Sequence, residues 1–332
     1  QLPDGQFTQV VYTLIKDQKY NEVITLLSNE LQFSPRSRAA LSLLGYCYYY
    51  IQDYENASDW YDQLTKYYPE AVDYKIYHAQ SLYKGGDYET AQKVCQSIES
   101  PEHQGKIIQL QIAIQYELEE VSHAKNLAEQ LEKESAEHIV TEGCLLFKEE
   151  KYEEARVKFQ EAMNTAGYQC DLAYNIALCH YKMKQLAPSL RFIADIIEKG
   201  VREHPELGVG SNSEGVEVKS VGNTQALRET ALIEAFNLKA AIEYTMKNYS
   251  AAKEALLDMP PRNEEELDPV TLHNHGLMNI EDDPQGGFKK LNFLIQNPPF
   301  PPETFSNLLL LYCKYAHYDL AADVLAENAD LT

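Results

Sequence analysis

Two histidines separated by a single residue, His273 and His275, are the first place to look for chemistry, because closely spaced imidazoles can share a metal. On a helix, residues two apart point to different faces, and no cysteine or carboxylate stands at ligand spacing beside them. They read as ordinary helix-surface histidines, and no metal is expected. Gly208-x-Gly210 followed by Gly215 superficially resembles a phosphate-cradling loop, yet it follows no strand and lacks a Gly-Lys-Ser/Thr ending. The six cysteines, Cys47, Cys95, Cys144, Cys170, Cys179 and Cys313, form no C-x-x-C pair and mostly sit inside apolar helical patterns. They read as small core residues of a reduced, intracellular chain, with no disulfide framework. Neither G-x-S-x-G nor H-E-x-x-H nor a kinase-type set occurs. Carboxylate pairs carry no information in a chain with 51 acidic residues. The run Asn297-Pro298-Pro299-Phe300-Pro301-Pro302 could be a polyproline recognition segment, but it falls where one helical unit ends and the next begins, and reads as a linker. Catalysis and cofactors therefore have no residues to stand on.

The 332 residues are 44% hydrophobic and 24% charged, enough for two ordinary domains or one extended repeat array. A net charge of −22 repels phosphate backbones and anionic lipid, which argues against nucleic acid or membrane as partner and favours basic or apolar ones. No apolar run approaches the roughly 20 residues of a membrane span, and no signal-peptide pattern opens the chain. The first residue is Gln1, so a trimmed start is expected.

The elements that must position any working surface announce themselves by repetition. Leu41-Ser42-Leu43-Leu44-Gly45-Tyr46-Cys47-Tyr48, then Asp53-Tyr54-Glu55-Asn56-Ala57, then Tyr61, Leu64 and Pro69 follow the tetratricopeptide pattern, and Pro35 lies 34 residues before Pro69. Small residues recur in the first helix of each unit at Gly45, Ala79, Ala113, Gly143, Ala177, Ala240 and Gly276. In the second helix they recur at Ala57, Ala91, Ala124, Ala155, Ser189, Ala252 and Ala321, in steps of 34, 33, 31, 34, 63 and 69. A small residue at each helix crossing lets the backbones approach. Nine units begin near Gly5, Ala39, Asp73, Ile107, Glu137, Asp171, Glu234, Val270 and Glu303.

The expected fold is thus all-α, a right-handed superhelical tetratricopeptide-repeat solenoid of about nine helix-turn-helix repeats. Residues 1–199 hold repeats one to six, 200–224 a long inserted loop, and 225–332 repeats seven to nine. The inserted stretch is rich in Gly, Ser and Asn, the composition of a functional or mobile loop. Met259 to Pro269 is a second irregular stretch, read as a link between the seventh and eighth helix pairs. No polar capping helix follows the last repeat, so an array that continues or is covered is expected.

One turn off the packing stripe, the first helices place Tyr12 and Ile15, Tyr46 and Tyr49, Ile76 and Tyr83, Leu110 and Ile114. Val140 and Phe147, Tyr174, Leu178 and Tyr181, Tyr244, Leu277 and Leu310 continue the series, with Lys16, Lys84, Lys148, Lys182 and Lys314 one position on. Such a stripe would line a concave groove for an extended apolar segment with some acidic character, since monomers seldom expose so continuous an apolar surface. The same residues could instead simply complete a tight superhelix.

Several stretches outside the bare repeat carry a more specific resemblance: Pro35-Arg36-Ser37-Arg38-Ala39, HPELGVGSNSEGVEVKSVGNT, EAFNLKAAIEY, MPPRNEEELDPVTLHNHGLMN and NPPFPPETFSNLLLLYCKYAHYDLAADVLAENA. The chain resembles the N-terminal half of the tetratricopeptide repeat protein thirty (fleer) family, the intraflagellar transport protein seventy family. The resemblance implies a scaffold subunit of intraflagellar transport complex B, needed for cilium and flagellum assembly and located there and at the basal body. It further implies that the chain wraps a segment of intraflagellar transport protein fifty-two, with other complex B core subunits and ciliary kinesin as partners and a link to tubulin polyglutamylation. The alternatives are a peptide-tail adaptor and a regulatory subunit of a tubulin-modifying enzyme. Family members run well past Thr332.

Overall fold

The computed structural model describes residues 6–133, 135–214 and 218–329, and among them every regular element is helical. Two compact units divide the chain, Gln1–Lys158 and Phe159–Thr332. The first holds α1 (Gln6–Lys16), α2 (Tyr20–Phe33), α3 (Arg38–Tyr50), α4 (Tyr54–Tyr67), α5 (Val72–Lys84), α6 (Tyr88–Gln96), α7 (Gln104–Glu117), α8 (Val121–Ala128) and α9 (Ala136–Lys148). The boundary falls inside α10 (Tyr152–Ala166). The second unit continues with α11 (Cys170–Lys182), α12 (Leu186–Glu203), α13 (Gln225–Glu229), α14 (Leu232–Thr245), α15 (Tyr249–Leu257), α16 (Pro269–Asn279), α17 (Pro284–Gln296), α18 (Glu303–Lys314) and α19 (Tyr318–Glu327). With α13 set aside these are nine successive helix pairs, in the register that the sequence predicts for a tetratricopeptide-repeat solenoid.

One turn geometry joins the helices of eight pairs. Two residues past the first helix the backbone enters the left-handed region, at Gln18, Gln52, Gly86, Glu119, Glu150, Lys184, Lys247 and Ala316. The amide of Gln52 then donates to the Tyr49 carbonyl and that of Asp53 to the Tyr48 carbonyl, 3.1 and 3.0 Å, the pair of bonds that satisfies a helix C-terminus by reversing the chain. The residue after the turn starts the next helix: Asp53 and Asp87 accept side-chain bonds from the amides of Asn56 and Thr90. Only Gly86 is a glycine, so the other seven turns carry a strain that packing must offset.

The packing lies at the small residues. Ala57, Ala79, Ala91, Ala124, Ala177, Ala240 and Ala252 are all fully buried. A methyl at Gly45 would stand 2.8 Å from the ring of buried Tyr61, so only glycine lets α3 and α4 cross there. At the α11–α12 crossing the small residue is Ser189, whose buried hydroxyl donates to the Ala177 carbonyl at 2.7 Å.

The inserted segment departs from its expected role. Its described residues form no free loop: Leu207 is 1% exposed, and with Val209, Val221 and Leu227 it joins a core built on Phe236, Ala240 and Leu256. Gly210 donates its amide to the Asp258 carbonyl and Val221 to that of Pro261, at 2.8 and 2.9 Å. Asn223 reaches the Glu266 carbonyl, and the Arg262 guanidinium returns to Asn223. Thus the two irregular stretches of the sequence are bound to each other. The segment supplies cover for α14, whose Leu232, Ile233, Ala235, Phe236, Asn237, Leu238, Ala240 and Ile242 are buried around the whole helix. Asn237 is satisfied there by Thr271 and Asn274, each at 2.8 Å.

Candidate protein-binding surface

Two clefts open between first helices in the unit Gln1–Lys158. Ser42, Leu43, Tyr46, Tyr49 and Tyr50 of α3 face Tyr77 and Gln80 of α5 across a cavity of about 370 Å³, with Tyr61 of α4 contributing to its wall. A second, of about 320 Å³, lies among Tyr83 of α5, Gln109, Ile112 and Tyr116 of α7, and Val140, Thr141 and Cys144 of α9. Positions i, i+4 and i+7 on α3 and i, i+3 and i+7 on α7 lie along one helix face, which brings these side chains together.

The aromatic rings are held by one another. Tyr46 lies 4.4 Å from Tyr50 and 6.4 Å from Tyr20, centroid to centroid. Burial pushes the Tyr83 and Tyr116 hydroxyls up to about 12, with Glu117 adding to the effect, and raises Tyr46 and Tyr61 further by the same cause. These four phenols are therefore neutral at physiological pH, each an apolar ring with a hydrogen-bonding tip. Cys144, in the second cleft, is pushed up to about 11 by burial and stays a thiol, too weakly ionised to act as a nucleophile. Among the described residues, no group of three or more His, Cys, Asp and Glu is placed to hold a metal. What the arrangement offers is contact area with scattered polar tips.

The predicted groove residues do not all reach such a surface. Tyr46, Tyr49, Tyr83 and Val140 line the clefts. Ile76 and Ile114 are 3% and 0% exposed, and Leu110 is also buried; they belong to cores and line nothing, because their helix face meets the neighbouring pair. Tyr174, Leu178, Tyr181 and Leu277 pack half-buried against cores of the second unit, while Tyr12, Tyr244 and Leu310 are exposed. Tyr49, Tyr83, Phe147 and Tyr244 also share a structural task. Each meets the aromatic that opens the following helix, Tyr54, Tyr88, Tyr152 and Tyr249, with centroids 5.2 to 5.8 Å apart. These i, i+5 pairs clamp the turn. Truncating them tests stability together with binding.

The lysines divide likewise. Lys148 is committed to Glu119 at 3.4 Å and lies over the Tyr116 ring, Lys314 pairs with Glu281, and Lys84 lies over its neighbour Tyr83. Lys16 and Lys182 are exposed and make no ion pair among the described residues. Sequence reasoning missed Ser42, Tyr50, Tyr77, Gln80, Gln109, Tyr116 and Thr141; a stripe begun at Ser42 or Gln109 would have found most of them. His273 is corrected too: it is 6% exposed, not on the surface, with its ring nitrogens 2.8 Å from Thr304 Oγ1 and 3.3 Å from Asn307 Nδ2. His275 is only partly exposed.

A family model described as a tetratricopeptide repeat matches residues 39–71, and one described as the intraflagellar transport protein 70 C-terminal domain matches residues 304–332. Intraflagellar transport protein 70A of Xenopus tropicalis is 62% identical over 332 residues, all of this chain and 51% of that protein. The Danio rerio 70A protein is 59% identical over 331 residues, again all of this chain and 51% of the relative. For intraflagellar transport protein 70B of Rattus norvegicus the identity is 57%, covering 100% of this chain and 52% of that protein. The chain thus spans about half the length of the curated relatives it matches. Among solved structures, a tetratricopeptide repeat protein from Parabacteroides merdae aligns with a TM-score of 0.59 at 14% identity, over 82% of this chain and 97% of that one. The human IFIT1 dimer with PPP-AAAA aligns at 0.59 and 11%, over 98% and 79%. At these identities the two structures establish the fold alone.

Proposed function

The chain belongs to the intraflagellar transport protein 70 family, and from that premise we propose that it is a non-catalytic scaffold for intraflagellar transport in the cilium. In this reading it is a subunit of complex B and holds a segment of a fellow core subunit, intraflagellar transport protein fifty-two, against its first helices. Other core subunits and the ciliary kinesin would join through the assembled complex. The basal-body location and the link to tubulin polyglutamylation would be consequences of that assembly.

The observation that carries the reading is the pair of tyrosine-lined clefts on α3, α5, α7 and α9. Rings already locked by neighbours lose little entropy on contact, which suits an anchor-binding surface. A terminal-carboxylate clamp, as a peptide-tail adaptor needs, is supported less, because Lys84 and Lys148 already rest on rings and Lys148 on Glu119. The test is co-expression with intraflagellar transport protein fifty-two, comparing the chain with a Ser42→Arg, Thr141→Arg variant that obstructs both clefts and leaves the turn clamps intact. The original chain should co-purify stoichiometrically, and the variant should keep its helical circular dichroism while losing at least about tenfold in affinity. Equal affinity for both would sink the reading.

A further inference from the structure

One cavity lies apart from these clefts, in the unit Phe159–Thr332. It measures about 340 Å³ and is walled by the inserted segment, the linker between α15 and α16, and helices α15 to α17. Its polar lining is Asn212, Arg262, Glu264, His275, Asn279 and Lys290, set among Leu256, Met259 and Leu267.

The polar groups are of two kinds. Arg262 is fixed: its side chain is 3% exposed, its Nη2 lies 3.0 Å from Asp268 Oδ2, and its Nη1 bonds Asn223 Oδ1 and the Glu266 carbonyl. Its Nε is buried without a partner. Lys290 is movable: its Nζ lies 2.7 Å from Glu264 Oε2, and that carboxylate is 60% exposed and free to turn toward water. The His275 ring and the side-chain amides of Asn212 and Asn279 make no hydrogen bond among the described residues. Arg262 and Lys290 are donors only, the amides and the ring can donate or accept, and Glu264 is the one carboxylate in the lining. Two cations and three open hydrogen-bonding groups above an apolar floor fit one compact anion on an apolar stem. On a chain of net charge −22, the pairs Arg262–Asp268 and Lys290–Glu264 leave this cavity locally neutral where most of the surface is acidic.

We propose that this cavity captures a single anionic side chain of a partner protein, a carboxylate or a phosphorylated serine. Lys290 is the cation that the ligand claims, Arg262 the fixed positive charge behind it, and Glu264 the built-in competitor that holds Lys290 until the ligand arrives. His275 reports the event. Burial holds its pKa below the ordinary histidine value, Lys290 and Arg262 lower it further, and Glu264 and Asp268 oppose them. A bound anion would raise it.

The test follows ring-labelled histidines of the full chain by NMR, with the His275 signal assigned by its loss in His275→Gln. Inorganic phosphate is titrated at constant ionic strength, then leucine-flanked heptapeptides centred on glutamate, phosphoserine or glutamine. The expected result is a saturable shift with phosphate, a raised His275 pKa, and binding of a charged peptide at least about tenfold tighter than the glutamine peptide. Which charged peptide binds better identifies the source of the anion. Glu264→Gln should tighten binding several-fold, and Lys290→Met should abolish it. No saturable shift with any probe, equal binding of the glutamine peptide, or unchanged affinity in Glu264→Gln would each overturn the proposal.

Discussion

The helices from α3 to α9 and the helix α14 solve the same packing problem in opposite ways. In the first unit each pair buries one stripe, and the faces of α3, α5, α7 and α9 that remain are open and rich in tyrosine. In the second unit α14 is buried all round, because the inserted segment folds onto it and Leu207 enters its core. A repeat array thus keeps a face available by leaving it unpartnered, or seals it by spending extra chain. The sealed region gains the interior polar network of Arg262, Asp268, Thr271, Asn237 and Asn274, and the open region keeps surface for another molecule.

Substitutions can break this contrast. The largest effect is expected for Leu207→Ala, which should cost about 2–5 kcal/mol by leaving a cavity under α14. Hydrogen exchange should show the loss of protection in Phe159–Thr332. If instead the variant unfolds no more easily in urea, the segment is a loop after all. Gly45→Ala comes next, at about 1–3 kcal/mol, because its methyl would meet the Tyr61 ring at 2.8 Å. There the protection loss should appear in α3 and α4.

A smaller effect distinguishes the units by pH. Burial holds His273 below the ordinary histidine value, with Glu303 opposing, so the unfolded chain binds a proton that the folded one resists. Stability is full above the unfolded value near pH 6.5 and falls as pH drops toward the lower folded value. His275 acts with the same sign, against the single histidine of this kind in the first unit, His78. Lowering the pH from 7.5 to 5.5 should therefore loosen the second unit more, and His273→Gln should flatten that slope whatever its own offset. The smallest effect is a gain: Gln52→Gly should stabilise the first unit by about 0.5 kcal/mol, since glycine takes the left-handed turn without strain. A loss in melting temperature would mean that the turn at Gln52 carries no such strain.

Much of this was legible in the sequence because a repeat states its packing many times. Gly45, Ala57 and Ala91 recur at the crossing points, and the nine helix pairs begin where their spacing puts them. The candidate surface was less legible. Ile76 and Ile114 carry the same apolar character as cleft residues, and one residue of rotation on a helix decides between core and surface. The clamp pairs Tyr49–Tyr54 and Phe147–Tyr152 join rings five residues apart across a turn, a spacing that helical periodicity does not mark. The inserted segment misled by composition: Gly208 and Gly210 take left-handed turns within an ordered structure, and apolar Leu207, Val209 and Val221 anchor it.

Whether the open clefts hold a protein segment decides between a scaffold and a bare repeat array. A photo-crosslinking residue placed at Gln80, at Thr141, or at the exposed Lys93 of α6, in chain co-expressed with intraflagellar transport protein fifty-two, asks this most directly. Crosslinks to that subunit are expected from Gln80 and Thr141 and none from Lys93. Crosslinks from Lys93 alone would show that the clefts are not the binding surface.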